Sequence, residues 1–330
     1  MILVLGKSFS PRIQVFHARA FNTLPLLANL DGKAFTTAEV CSERETEVMP
    51  LFVETACLET CMLPVYSKVK GAYMPLTSGI PQLSYVAEGK GPLVIMLHGL
   101  LMEGKSWLEN GFSSFFSPFS HVVCPDLLGH GESEKSRVEE LYTQQNQALS
   151  IVKIMDDLGY EKANVIGYSS GAWVGLGLLN HYSERLNSIV LGGWDFMNGL
   201  PDTPEGKLSF DMFMSYARST APELTSRISL EAQESARCFF NELRKYRRKK
   251  EGLFPYKTPI LIWGGASDPY YASMVETAQQ HGLSMITGKG DHLSELSNPD
   301  KSSIHEIFRF IESHESSKSP VTCSSKCKSR

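Results

Sequence analysis

The chain has 330 residues, 42% of them hydrophobic and 21% charged, and a formal net charge of -4. This length accommodates one large domain with insertions or two small ones, in the composition of an ordinary soluble globular protein. The balance argues against a dedicated nucleic-acid binder, which shows a strongly basic face, and no apolar run approaches the roughly 18 residues of a transmembrane segment.

In chain order, the first thirty residues hold Lys7, Arg12 and Arg19 but no acid. Basic, acid-poor starts occur in organelle transit peptides, so the expected location is cytoplasmic, or organellar if this stretch is a targeting signal. Residues 31–75 turn acidic, with a helix-forming stretch "LFVETACLETCML" whose Leu51, Cys57, Leu58, Cys61 and Met62 read as packing residues. Seven cysteines give an odd count. Cys57/Cys61 and Cys323/Cys327 are each one helical turn apart, without the C-x-x-C spacing or histidines of a zinc site, so free thiols in a reducing compartment are expected. No N-x-S/T sequon occurs, which fits a protein outside the secretory pathway.

From about Leu83 apolar strands alternate with amphipathic helices. "LSYVAEG", "PLVIML", "HVVCPDL", "ANVIGY", "LNSIVLGGW", "TPILIWGG" and "LSMITG" read as strands. Several are continuous apolar runs of the kind a buried parallel strand shows. "RVEELYTQQNQALSIVKIMDDLGY" and "SSIHEIFRFIES" read as helices. The alternation predicts an α/β fold, a mostly parallel central sheet with helices on both faces. Residues 197–256 interrupt it with two helical patterns, "KLSFDMFMSYARST" and "SLEAQESARCFFNELRKYRRKK". Such an insertion would sit over the carboxyl edge of the sheet, where open α/β sheets bind ligands. The predicted organisation is therefore an extension over 1–78, an α/β domain over 79–313 with a small helical cap at 197–256, and a disordered tail over 314–330. The basic run at 244–250 reads as a solvated helix end.

One turn bears on chemistry. In Gly167-Tyr168-Ser169-Ser170-Gly171 only Ser169 occupies the serine of G-x-S-x-G. That pattern places a nucleophile on a sharp strand-to-helix turn that excludes bulk two residues to either side. Ser170 would offer its backbone N–H. In "HGLL", after the second strand, the glycine lets the loop turn so that the Leu100 N–H points into the crevice. Together these two N–H groups would form an oxyanion hole. A serine hydroxyl needs a base, and the base an orienting acid, in the order Ser, acid, His. Asp268 in "GGASDP" and His292 in "GKGDHLSEL" both follow strands, at the same edge as Ser169. His281, His305 and Asp291 are weaker candidates. Asp126 in "PDLLGHGES" is expected to hold loops together, and His130 belongs either to a turn or to the pocket wall. His98, Tyr168 and Trp173 are expected to contact substrate. Phe210, Met212, Phe213 and Met214 suggest a hydrophobic acyl or alcohol group on a small-molecule substrate, although at helical spacing some of them must be core. No P-loop, G-x-G-x-x-G or H-E-x-x-H occurs, so neither a cofactor nor a metal is expected.

"HGLL", "PDLLGHGES", "GYSSG", "GASDP" and "GDH", in this order, resemble the α/β-hydrolase fold family over residues 83 to 311. The resemblance implies a Ser169–His292–Asp268 triad, an oxyanion hole from Leu100 and Ser170, and a helical cap. Members that open epoxides or displace halides carry Asp as nucleophile, often with Pro shortly after the H-G. This chain has Ser169 and Leu101. The expected function is a serine esterase-like hydrolase acting on a carboxylic ester, thioester or lactone. The alternatives are a C–C bond hydrolase or acyltransferase on the same fold, and a non-catalytic binding protein. His292 must be neutral to act as base, so activity should fall below a pH of about 6.5.

Overall fold

Period-two alternation inside the strands decides the layering. In β2 (Leu93–Leu97) the side chains of Leu93, Ile95 and Leu97 enter one core, while Val94 and Met96 enter another. The same split divides Val165 from Ile166 and Ile189 from Val190. A strand buried on both faces needs apolar residues at every position, hence the unbroken runs in the sequence. The computed structural model of the protein describes residues 79–204, 206–246 and 256–315. The expectations for residues 1–78, for Cys57/Cys61 and Cys323/Cys327, for the basic run beyond Tyr246 and for the tail beyond residue 315 lie outside the described residues.

The elements follow in order. β1 (Tyr85–Glu88) and β2 lead to two short helices, α1 (Ser106–Glu109) and α2 (Phe112–Phe116), then β3 (His121–Pro125). Next come α3 (Gln144–Asp157), β4 (Ala163–Tyr168), α4 (Ser170–Tyr182) and β5 (Leu186–Gly192). A two-residue hairpin, β6 (Asp202–Thr203) and β7 (Gly206–Lys207), precedes α5 (Phe210–Thr220), α6 (Pro222–Thr225) and α7 (Leu230–Arg244). The chain returns to the sheet with β8 (Ile260–Gly265), α8 (Tyr271–His281), β9 (Ser284–Gly288), α9 (Ser294–Ser297) and α10 (Lys301–Ser313). The main sheet has seven strands in the order β1-β3-β2-β4-β5-β8-β9. Every pair is parallel except β1 with β3.

One face of the sheet packs Ile151 and Met155 of α3, Val174 and Leu178 of α4, and Met274 of α8. The other packs Trp107 of α1, Phe112 and Phe116 of α2, and Ile304, Ile307 and Ile311 of α10. Each such side chain contributes about 1.5–3 kcal/mol on leaving water. One predicted boundary moves. The helix expected from Val138 begins only at Gln144, after a 3-10 turn over Glu139–Tyr142. Val138 is exposed, and the Thr143 hydroxyl accepts from the Asn146 N–H, so a cap starts the helix where periodicity alone did not.

Candidate active site

Ser169 stands between β4 and α4 at φ 57°, ψ -121°. Only Ser169 and Leu101 combine a non-glycine side chain with positive φ among the described residues. Such a conformation costs on the order of 1–3 kcal/mol and persists where surroundings over-determine it. Here the Ser169 N–H donates to the Gly192 carbonyl at 2.8 Å, continuing the β4–β5 pairing, and the Ala172 and Trp173 N–H groups donate to the Ser169 carbonyl. The flanking glycines allow this approach. A β-carbon on Gly167 would lie 2.4 Å from the Gly171 oxygen, and one on Gly171 would lie 2.2 Å from the Leu97 oxygen. Ser169 is the N-cap of α4, yet its side chain makes no capping bond. Its hydroxyl lies 3.1 Å from His292 Nε2 instead.

His292 sits in the loop after β9, with its side chain one-quarter exposed. His292 Nδ1 is 2.9 Å from Asp268 Oδ2. A carboxylate there requires the proton on Nδ1, which leaves Nε2 free to accept from Ser169. Asp268 is 4% exposed and follows β8. Its Oδ1 accepts from the Tyr270 N–H at 2.8 Å, and the Tyr168 hydroxyl donates to Oδ2 at 3.3 Å. Burial, and then the adjacent Asp268 carboxylate, push the Tyr168 phenol well above its ordinary value, so it stays a donor. The expected nucleophile, base and acid are thus brought together from three loops at the carboxyl edge of the sheet.

The Met102 N–H donates to the Gly99 carbonyl, closing a turn in which Leu101 takes φ 66°. Leu100 is the second residue of that turn, and Ser170 the first residue of α4. Neither backbone N–H has an acceptor among the described residues. The Ser170 N–H is one of the orphan donors every helix start leaves, at the positive end of the helix dipole. A β-carbon on Gly99 would be 3.5 Å from Ser169 Cβ, so this turn borders the serine.

The three residues expected to touch substrate take other positions. His98 is fully buried; its Nε2 accepts from the Leu127 N–H at 2.9 Å, and Nδ1 meets the Gly99 carbonyl at 2.7 Å. It ties the β2 loop to the β3 loop, and burial lowers its pKa to about 4. Tyr168 is also buried, behind His292 against Trp263. Trp173 is 3% exposed and packs on Phe239 of α7. The cleft of about 590 Å³ bordered by Leu101, Leu293 and His130 and, from the α6–α7 segment, by Leu224 and Arg227 is lined neither by them nor by Ser169, Asp268 or His292. The apolar residues of α5 do not line it either. Phe210 and Met214 are buried, Phe210 meets Phe240 edge-on and Phe213 stacks against it, and Met212 is exposed. For Phe210 and Met214 the helical spacing marks a packing face.

Asp126 serves its loops. Its oxygens accept from the Gly104 and Glu132 N–H groups at 2.7 and 2.8 Å. His130 is 4% exposed beside His98, and burial and that neighbour lower its pKa to about 3. Sequence reasoning missed Glu295, which is 1% exposed and reaches both the Trp263 indole and the Gly290 N–H. No local signal distinguishes it from a solvated glutamate. Among the described residues no three His, Cys, Asp or Glu side chains converge to hold a metal ion, and no helix is long and apolar enough to cross a membrane.

Residues 92–231 match the family described as the alpha/beta hydrolase fold. With its seven-stranded, mostly parallel sheet, the chain has the α/β-hydrolase fold. Among curated proteins it is 30% identical over 122 residues to epoxide hydrolase B of Mycobacterium tuberculosis, covering 36% of this chain and 34% of that one. The chain spans less than half the length of such relatives, 29% to 45%. Among solved structures, the enol-lactonase from Burkholderia xenovorans LB400 superposes with a TM-score of 0.57 at 18% identity, over 70% of this chain and 97% of that one. A meta-cleavage product hydrolase gives a TM-score of 0.55 at 19% identity, over 71% and 95%. At these identities the structural likeness speaks for the fold.

Proposed function

We propose that the protein is a serine hydrolase cleaving a carboxylic ester, thioester or lactone through an acyl-enzyme on Ser169. The observation that carries this reading is the unbroken run from Ser169 Oγ to His292 Nε2 and from His292 Nδ1 to Asp268, built on a serine released from helix capping. In the reaction, His292 takes the hydroxyl proton as Ser169 attacks the carbonyl carbon, and the Leu100 and Ser170 N–H groups receive the developing oxyanion. His292 then passes the proton to the leaving alcohol or thiol. Water, deprotonated by the same imidazole, releases the acid. Asp268 holds the imidazole in the required tautomer and stabilises its charged form. The helices between β5 and β8 act as a cap over the crevice.

The epoxide-opening chemistry of the Mycobacterium relative is disfavoured, because this chain presents Ser169 where that chemistry uses Asp. A second reading is hydrolysis of a carbon–carbon bond by the same side chains, since the triad alone does not separate it from ester hydrolysis. Analysis of the products from paired ester and vinylogous diketone substrates separates the two. The first test is a fluorophosphonate probe at pH 8 on the native protein and on Ser169→Ala, with the adduct located by mass spectrometry. An adduct on Ser169, absent in the variant, is expected. Folded native protein that stays unlabelled would leave only a binding role on this fold.

A further inference from the structure

We propose that Glu295 is a positioning residue for His292, its buried carboxylate locking the loop of the base to the strand that leads to the acid. This rests on the hydrolase reading only in giving His292 a reaction to serve. Three elements meet at Glu295. Oε1 accepts from the Trp263 indole N–H of β8 at 2.9 Å, and Oε2 accepts from the Gly290 N–H of the His292 loop at 3.1 Å. The end of β9 yields its side-chain space to the carboxylate, since a β-carbon on Gly288 would lie 1.8 Å from Oε1.

The same loop is tied to the acid loop through its backbone. The Ala266 N–H donates to the Gly288 carbonyl at 2.9 Å and the Ser267 N–H to the Gly290 carbonyl at 3.1 Å. Gly290 is therefore held from both sides, its carbonyl by the acid loop and its N–H by Glu295. Two residues on, His292 meets Asp268 at 2.9 Å. The backbone bonds fix one edge of the loop, and Glu295 adds a side-chain attachment on the other.

The donor set also explains the residue type. Both partners are N–H donors, so both oxygens must accept, which a carboxylate does. Glutamine would satisfy one donor and turn its own NH2 toward the other. A carboxylate with only two neutral donors is a costly group to bury. Apolar packing between Trp263 and the loop would serve stability without that cost.

The test uses the full chain and reads the His292–Asp268 bond directly. In the native protein the proton on His292 Nδ1 should give a far-downfield NMR resonance. In Glu295→Gln it should move upfield or vanish through exchange, and with 4-nitrophenyl acetate kcat should fall about tenfold while KM stays within about twofold. A folded Glu295→Gln protein with the native resonance and native kcat overturns the proposal. Should that variant fail to fold, Trp263→Phe removes one donor and keeps an apolar ring. A smaller displacement of the resonance is then expected, and none overturns the proposal. Native protein that shows the Glu295-dependent resonance but takes no fluorophosphonate sinks the hydrolase reading and leaves the positioning role standing. Labelled protein whose resonance ignores Glu295 does the reverse.

Discussion

The loops after β2 and β3 carry His98, Asp126 and His130, and the loops after β8 and β9 carry Asp268 and His292, so one sheet edge holds two His/Asp sets of similar composition. In the first set the carboxylate accepts from backbone N–H groups and His98 spans two loops, both groups buried away from solvent. In the second the carboxylate accepts from the imidazole, whose far nitrogen reaches a hydroxyl, and the ring keeps one-quarter of its side chain exposed. The pairing of donors and the access to water separate a loop clamp from a proton relay. Residue type does not.

The sharpest way to break this comparison is to remove the same groups from both sets. Asp268→Asn and His292→Ala should each lower turnover of an activated ester by roughly 10⁴-fold, with little change in melting temperature. Asp126→Asn should act through stability, since one amide face cannot accept from the Glu132 or Gly104 N–H. A loss of about 2 kcal/mol by urea denaturation is expected. If Asp126→Asn silences a stably folded protein while Asp268→Asn leaves it active, the assignment of the two sets is reversed.

The next contrast concerns protons. His98 is held neutral in the fold with a pKa of about 4, below the 6.5 of an unfolded histidine. The unfolded chain therefore binds the extra proton first as pH falls. Stability from this group is complete above about 6.5 and drains away down to about 4, a loss of about 3 kcal/mol. Urea midpoints measured from pH 8 to pH 4.5 should fall less steeply in His98→Gln than in the native chain. An unchanged slope would mean that His98 is not the group responsible. The smallest expected effect is at Tyr168, whose long hydrogen bond to Asp268 is one of three that the carboxylate accepts. Tyr168→Phe should slow turnover only about threefold to tenfold, read as kcat at constant KM.

Legibility from the sequence followed the range of the forces involved. The Ser169 turn was readable because its constraint is local: Gly167 and Gly171 are small since each faces backbone oxygen in the folded chain. The strands were readable because burial on two faces writes an unbroken apolar run. Asp268 and His292 could be chosen from among other acids and histidines by chain order and by their place after strands. What failed depended on distant partners. Phe210 and Met214 show helical spacing, but spacing cannot say that Phe240 covers that face while the cleft lies elsewhere. His98 follows a strand as a substrate contact would, and only the position of Leu127 reveals its work. Glu295 answers to Trp263 and Gly290, one of them more than thirty residues upstream.

The bonds that hold the Ser169 turn run through its own N–H and carbonyl, and the crowding falls on the α-carbons of Gly167 and Gly171. None of these constraints consults the side chain at 169. The shape of the turn is thus written into its backbone and its neighbours, which leaves the side chain at 169 to be set by chemistry and not by folding.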